Sequence, residues 1–327
     1  MFQTKRVTSR EGAPGFGSFH RRRWTGDLTL RAGLAIVTLG ISVVLAIMMV
    51  ESFADASPVY ERFGILGFVT GTKWAPSFTI YGAWPFIYGT LLTSLIGLVI
   101  AVPISVLIAL LLTELAPARL RAPFGIAVDL LAAVPSVVYG LWGLIVLVPA
   151  MRPFEQGVSA TLGSVVPFLG PPTPGASYFA AGVILAIMII PIISAVTREV
   201  FASTPRLQRE AVLALGGTRW DVARTVTLPI GRAGLLAAVV LGLGRAVGET
   251  IAVTMVIGNS NNIGTSIFAP GFTLASVIAN EFNEATETLH PEALIALGTV
   301  LLVLSVIVNA VAVAIRNRFT GGARSGF

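Results

Sequence analysis

Long uncharged runs alternate with short charged ones along the whole chain. Residues 32–50, 74–113, 178–196 and 294–315 contain no Asp, Glu, Lys or Arg. Residues 126–148 carry only Asp129, and residues 235–257 only Arg245 and Glu249. A bilayer core is crossed by about 20 apolar residues in a helix. The pattern therefore predicts six spans, at about 32–50, 86–112, 126–148, 178–196, 235–257 and 294–315. Residues 1–31 read as a basic tail, 51–84 as an extracytoplasmic segment, 85–316 as the main membrane domain and 317–327 as a second tail. The proline-rich stretch 150–176 reads as a non-helical loop. Pro103, Pro135 and Pro191 fall inside three spans, as local kinks satisfied by neighbouring helices or as gating hinges.

Residues 204–229, TPRLQREAVLALGGTRWDVARTVTLP, depart from this pattern. They are charged and helix-patterned, with Leu207, Ala211, Ala214 and Leu215 near a 3.6-residue period. Thr204 is placed to cap a helix that starts with Pro205, and Gly216-Gly217 to stop it. Thr218 and Asp221 read as a capping box opening a second short helix, which Pro229 should end. A helix–turn–helix is thus set between membrane spans.

Composition fixes the class. Of 327 residues 55% are hydrophobic and only 12% charged, with a mean hydropathy of +0.85; a soluble domain carries about a quarter charged residues. The chain is an all-α polytopic membrane protein. It has no cysteine, which excludes disulfides and thiolate chemistry, and its two histidines, His20 and His290, are far apart. No metal site is expected.

The net charge of +6 reports topology, not a nucleic-acid partner. Eighteen of the 22 Lys and Arg residues lie in the two tails, the loop holding Arg119 and Arg121, and the stretch from Arg198 to Arg232. The opposite side has Arg62, Lys73 and Arg152. The positive-inside rule then puts both termini and the helix–turn–helix in the cytoplasm. Ala54-Asp-Ala56 looks like a signal-peptidase site, but the preceding apolar run exceeds the usual 7–15 residues, so the first span is read as retained.

No GxxxxGK[ST] loop, Ser/His/Asp arrangement or metal-ligand spacing occurs, and Lys5 and Lys73 sit in no phosphate-binding context. Catalysis is not expected here; any ATP and Mg2+ would be bound by a partner. Arg245 and Glu249 are costly inside a span and point to a pathway or to a self-neutralising pair. They are four residues apart, on one helix face if the helix is unbroken, in the weaker basic-before-acidic order. An Arg fork suits a tetrahedral oxyanion. Gly242, Gly244 and Gly248 leave the neighbourhood open.

The spacing of Glu210-Ala211-Val212, Gly216 and Val226-Thr-Leu-Pro229 resembles the EAA signature of ABC-importer permeases, with Val212 where the family has Ala and Val226 where it has Ile. The resemblance implies a type I importer fold and makes this element the coupling helix that docks on an ATPase. Arg209, Glu210, Ala211, Val212, Leu215, Gly216 and Pro229 become its coupling residues, while Arg206, Arg209 and Arg219 could pair with the partner's acidic rim. The same arginines would also suit an amphipathic helix lying in the headgroups. LAAVPSVVYGLWG (131–143) and GRAVGETIAVTMVIGN (244–259) are similar to the PstC branch of phosphate-importer permeases; the sister PstA branch continues Ala-Pro after the Gly-Glu-Thr core. The likeness covers about residues 81–316.

That resemblance implies a phosphate pathway at Arg245, Glu249 and Thr250. It also implies a PstA-type permease as the other half of a heterodimer, a PstB-type ATPase dimer and a PstS-type binding protein, all at a bacterial plasma membrane. Asp129 is read as a helix-end contact. The EAA element alone leaves sulfate or molybdate open as cargo, and a stand-alone channel or secondary transporter is the reading from a different class.

Overall fold

The computed structural model describes residues 23–170, 175–286 and 289–321. Residues 1–22 of the basic tail, Pro171, Pro172 and Pro174 of the expected loop, Glu287, and the last tail residues with Arg324 lie outside the described residues. The chain divides into two units, Met1–Glu51 and Ser52–Phe327.

The first unit is described through helix α1 (Arg23–Asp55), whose apolar stretch Thr29–Asp55 is long enough to cross a membrane. Leu34, Ile36, Leu39 and Leu45 are all exposed, so the helix carries no single apolar stripe. A helix apolar all round is what a lipid environment accepts.

The second unit begins with the short helices α2 (Ser57–Phe63) and α3 (Ile65–Thr70). Helix α4 (Trp84–Leu110) then runs on through a π-helical turn, Leu111–Leu115. After α5 (Ala118–Ala132), α6 (Ser136–Trp142) passes through a second π turn, Gly143–Leu147, into α7 (Val148–Leu162). Helix α8 (Tyr178–Ala202) leads to α9 (Arg206–Ala214) and α10 (Arg219–Val222), which continues by a third π turn, Ala223–Thr227, into α11 (Leu228–Val247). Short α12 (Ile251–Val256) and α13 (Leu274–Glu281) precede the last helix, α14 (His290–Gly321). Among the described residues six helical stretches are long and apolar enough to span a bilayer, and there is no sheet beyond two isolated bridges.

Helix α8 is the most enclosed of the six. Ile184, Leu185, Ile189 and Ile193 have no exposed surface and form the main core with α4, α11 and α12. Small residues let the backbones close in: a Cβ on Gly97 of α4 would lie 3.1 Å from Leu185 Cβ, and one on Gly242 of α11 would lie 2.6 Å from Ile193 Cδ1. Membrane helices pack by such close approach because lipid supplies no hydrophobic drive between them. At one end of the spans Trp74, Tyr81, Phe86 and Phe272 build a second, aromatic core; Trp74 meets Tyr81 edge-on at 5.0 Å and Phe86 at 5.1 Å.

Several expectations are corrected. The single span at 126–148 is instead two helices. Val134 precedes a proline and is steered from helical geometry. Pro135 is extended (φ −60°, ψ 143°) and starts α6, so the membrane-length stretch is Ser136–Leu162. The non-helical loop expected from residue 150 is accordingly helical to Leu162: Pro149 follows the π turn Gly143–Leu147, in which the Val148 N–H reaches the Gly143 carbonyl five residues back. The span at 235–257 is also interrupted, at Gly248–Thr250.

Thr204 is not the cap of α9. Its N–H closes α8 by bonding to the Phe201 carbonyl at 3.2 Å, and Pro205 takes the cap position. Nor does Pro229 end a helix. The π turn before it sends the Leu228 N–H to the carbonyl of Ala223, five residues back, and so widens the backbone where the proline ring would otherwise clash. Residues Arg219–Val247 form one stretch of 29 residues.

Candidate translocation and coupling sites

Arg245 stands in the last turn of α11, and the helix stops three residues later for a local reason. Gly248 takes a bridge-region conformation (φ −91°, ψ 0°), and Thr250 (φ −113°, ψ −67°) leaves helical geometry before α12 restarts. The Thr250 carbonyl is recovered by two donors, the Thr254 N–H at 2.9 Å and the Thr254 hydroxyl at 2.8 Å. Glu249 therefore lies in the break and not on the face of an unbroken helix. Its carboxylate is 4.0 Å from Arg245 Nη2, the outer limit of an ion pair. The Glu249 side chain is 9% exposed and that of Arg245 44%, so the buried partner is the acid and the guanidinium is accessible.

The guanidinium opens on a cavity of about 600 Å³ lined also by Ile192, Val240, Gly244 and Asn309. Asn309 comes from α14; its Oδ1 lies 3.6 Å from where a Cβ on Gly244 would be. The amide went unnoticed in the sequence, although a lone Asn in the uncharged run 294–315 was a signal for it. Irregular backbone within a span is tolerated where it borders a cavity or is buried in protein; in this break the Glu249 side chain is 9% exposed. Chemically the arrangement offers a fork of donors and an amide in an otherwise apolar surround.

Residues of the two sequence stretches that carry the family resemblance meet beside this break. A Cβ on Gly140 of α6 would lie 3.0 Å from Ala252 Cα and 2.7 Å from Met255 Sδ, and one on Gly143 would lie 2.9 Å from Val256 Cγ1. Tyr139 is held by donating its hydroxyl to the Leu131 carbonyl at 2.7 Å.

At the far end of the Arg219–Val247 helix is the helix–turn–helix. Helix α9 has no buried residue. Glu210, Ala211, Leu215 and Gly216 are exposed, Leu215 at 91% and Leu207 at 80%. Gly216 has φ +87°, a left-handed conformation that favours glycine, and the turn is closed by Gly217 N–H on the Val212 carbonyl at 3.0 Å. Val212 is half-buried against Gly217. The expected capping box is present: Asp221 N–H reaches the Thr218 hydroxyl at 3.3 Å, and Thr218 N–H reaches Asp221 Oδ2 at 2.8 Å. Pro229 sits ten residues beyond Arg219, about 15 Å along the helix, and does not join the α9 surface.

Two of the arginines expected to face a partner turn inward instead. Arg209 Nη2 lies 3.2 Å from Glu114 Oε1 and also donates to the Phe201 carbonyl, while Arg219 Nη1 donates to the Glu114 main-chain carbonyl at 3.1 Å. The buried Glu114 carboxylate draws Arg209 inward because it needs a partner there, while Arg219 satisfies a main-chain carbonyl near the end of the π turn. Arg206 remains exposed. Glu114 was missed in the sequence, although it is the charge that ends the uncharged run 74–113. Asp129 is a helix-to-helix contact: Arg198 Nη2 of α8 lies 3.1 Å from each of its carboxylate oxygens.

Among the described residues no group of His, Cys, Asp or Glu could hold a metal. Six membrane-length helices among the described residues, with an exposed helix–turn–helix between two of them, define the class: a polytopic membrane protein. The family model for "Binding-protein-dependent transport system inner membrane component" matches residues 80–321. A phosphate transport system permease protein PstC from Mesorhizobium japonicum is 41% identical over 297 residues, 89% of this chain and 90% of that protein. The protein of that name from Haemophilus influenzae is 45% identical over 295 residues, 89% and 92% of the two chains. A crystal structure of a bacterial ABC transporter that imports the polysaccharide alginate shares the fold at a TM-score of 0.59 and 16% identity, covering 91% of this chain and all of that one. This chain belongs to the family of binding-protein-dependent transport system inner membrane components.

Proposed function

We propose that this chain is the permease half of an ATP-driven importer of inorganic phosphate. Its other half would be a PstA-type permease, its motor a PstB-type ATPase dimer that binds ATP and Mg2+, and its donor a PstS-type binding protein. The observation that carries the reading is Arg245: a guanidinium beside a helix break, at membrane depth, opening on a cavity and held only loosely by Glu249. The relatives' substrate, named phosphate, is the anion such a fork suits.

Glu249 keeps a negative group behind the guanidinium and Thr250 sits in the break, so the pathway residues Arg245, Glu249 and Thr250 form one local unit. The exposed face of α9, with Glu210, Ala211, Leu215 and Gly216, is the ATPase-docking surface. Stretch Arg219–Val247 is about 40 Å long and joins that surface directly to Arg245. ATPase closure would push α9, move this helix, and alternate the access of the cavity. The Lys/Arg distribution supports an orientation with both termini and α9 in the cytoplasm of a bacterial plasma membrane.

The test is reconstitution in proteoliposomes of this chain alone and with its three partners. Phosphate uptake that needs all partners and ATP is the expected result. ATP-independent uptake by the chain alone would establish a channel or secondary transporter instead, and uptake of sulfate or molybdate in preference to phosphate would reassign the cargo.

A further inference from the structure

Glu114 occupies a singular place. It lies in the π turn Leu111–Leu115 that ends the second span, and it is 7% exposed. Three bonds converge on this one residue from the region to which α9 and the Arg219–Val247 helix belong. Arg209 of α9 pairs with its Oε1 at 3.2 Å. Thr227, in the π turn just before α11, donates its hydroxyl to the same oxygen at 2.8 Å. Arg219, the first residue of the long helix, donates to its main-chain carbonyl at 3.1 Å.

Helix α9 has no fully buried residue; Arg209 and Val212 are its half-buried ones, so apolar packing does little to fix it to the body. Its charge-assisted link through Arg209 is shorter and stronger in kind than apolar contact at an exposed surface. Thr227 and Arg219 lie eight residues apart, about 12 Å along one helix, and both are held by Glu114. A helix held near one end at Arg219 and at Thr227, the last residue of its π turn, can rotate about Glu114 while its far end, at Arg245, swings. π turns interrupt the regular hydrogen-bond ladder and are frequent at functional sites.

We infer that Glu114 is the pivot of the coupling machinery: it positions α9 through Arg209 and transmits the displacement of α9 to the helix that carries Arg245. The inference rests on the reading of α9 as the docking surface. It assigns Glu114 a positioning role and no contact with phosphate.

The experiment uses the reconstituted complex of both permeases, ATPase and binding protein, and reads ATP hydrolysed per phosphate taken up. Glu114→Gln keeps the shape and an acceptor for Thr227 but removes the charge that holds Arg209. It is expected to raise the ratio at least tenfold in a complex that still co-purifies. Arg209→Gln should do the same, and the double variant should be no worse than either single change, because the two act as a unit. Should Glu114→Gln fail to assemble, Arg209→Gln alone decides by the same ratio.

An unchanged ratio, including one in which uptake and hydrolysis fall together, would make Glu114 a stabilising contact only and overturn the inference. Failure of the underlying reading looks different: a bulky residue at Gly216 would then leave ATPase binding intact, whatever Glu114 does.

Discussion

Gly140 and Ala252 touch backbone to backbone: a methyl group on Gly140 would sit 3.0 Å from the Ala252 Cα, with Met255 Sδ at 2.7 Å on its other side. They lie on different helices, α6 and α12, and they fix where the chain restarts after the break at Glu249. Gly140→Val should therefore cost about 1–3 kcal/mol by overpacking and displace the break. A lower melting temperature of the purified complex, with reduced phosphate uptake, is the expected result. Gly298→Ala is the control: nothing lies within 4 Å of the added methyl, and stability should move by no more than about 1 kcal/mol, upward if at all.

Arg245→Gln should abolish phosphate uptake while the complex still assembles and binds ATP. Arg245→Lys keeps the charge but loses the planar fork, and an intermediate rate is expected. Uptake of labelled phosphate into proteoliposomes measures both. Normal uptake by the Gln variant would remove Arg245 from the pathway.

At Gly216 two substitutions separate backbone strain from docking. Its Cβ would meet nothing within 4 Å, but φ is +87°. Gly216→Ala should cost about 1 kcal/mol through the left-handed backbone and leave ATPase association largely intact. Gly216→Trp adds bulk to the exposed face and should weaken co-purification of the ATPase at least tenfold. Equal retention in the two variants would count against docking here.

Ser177 does two jobs at the start of α8. Its hydroxyl donates to Glu155 Oε1 at 3.0 Å and accepts from the Ala180 N–H at 3.1 Å. Glu155 is buried, so Ser177→Ala should destabilise by about 1–3 kcal/mol through the lost cap and the carboxylate left short of a donor. Ser177→Thr should restore most of it. Thermal melts of the two variants decide.

Asp129 and Arg198 form a half-exposed pair, worth about 0–1 kcal/mol. Asp129→Asn should keep phosphate uptake near the parent level. A loss of more than tenfold in an assembled complex would give Asp129 a part in transport.

Much of the fold was legible in the chain itself because lipid imposes a simple rule: backbone groups must be satisfied within a helix. Uncharged runs of the right length then mark spans, as 178–196 marks Tyr178–Ala202 and 294–315 marks His290–Arg318. The turn at Gly216 and the capping box at Thr218 were legible for a similar reason, since both are closed by residues a few positions apart. Proline was the poorest guide. Pro135 breaks a helix, Pro229 follows a π turn within one, and Pro103 and Pro191 lie inside α4 and α8 without a break. Nothing in a one-dimensional pattern announces an extra residue in a turn.

The sites divide in the same way. Charge at membrane depth marked Arg245 and Glu249 because burying a charge is costly wherever it occurs. That Glu249 lies in a helix break, and that Asn309 from the last span shares the cavity at Arg245, depends on packing between residues about 60 apart in the chain. Arg209 and Glu114 show the limit most directly. Read along the chain, Arg209 is one of several exposed basic residues near a docking motif; in the folded molecule it is drawn inward by a carboxylate 95 positions earlier. The sequence by itself determined the alternation of apolar helices with charged segments, the turn at Gly216 and the capping box at Thr218, all set by interactions within a few turns or with the solvent. Only the tertiary structure decided which charges find each other, because a buried carboxylate selects its partners by proximity across helices.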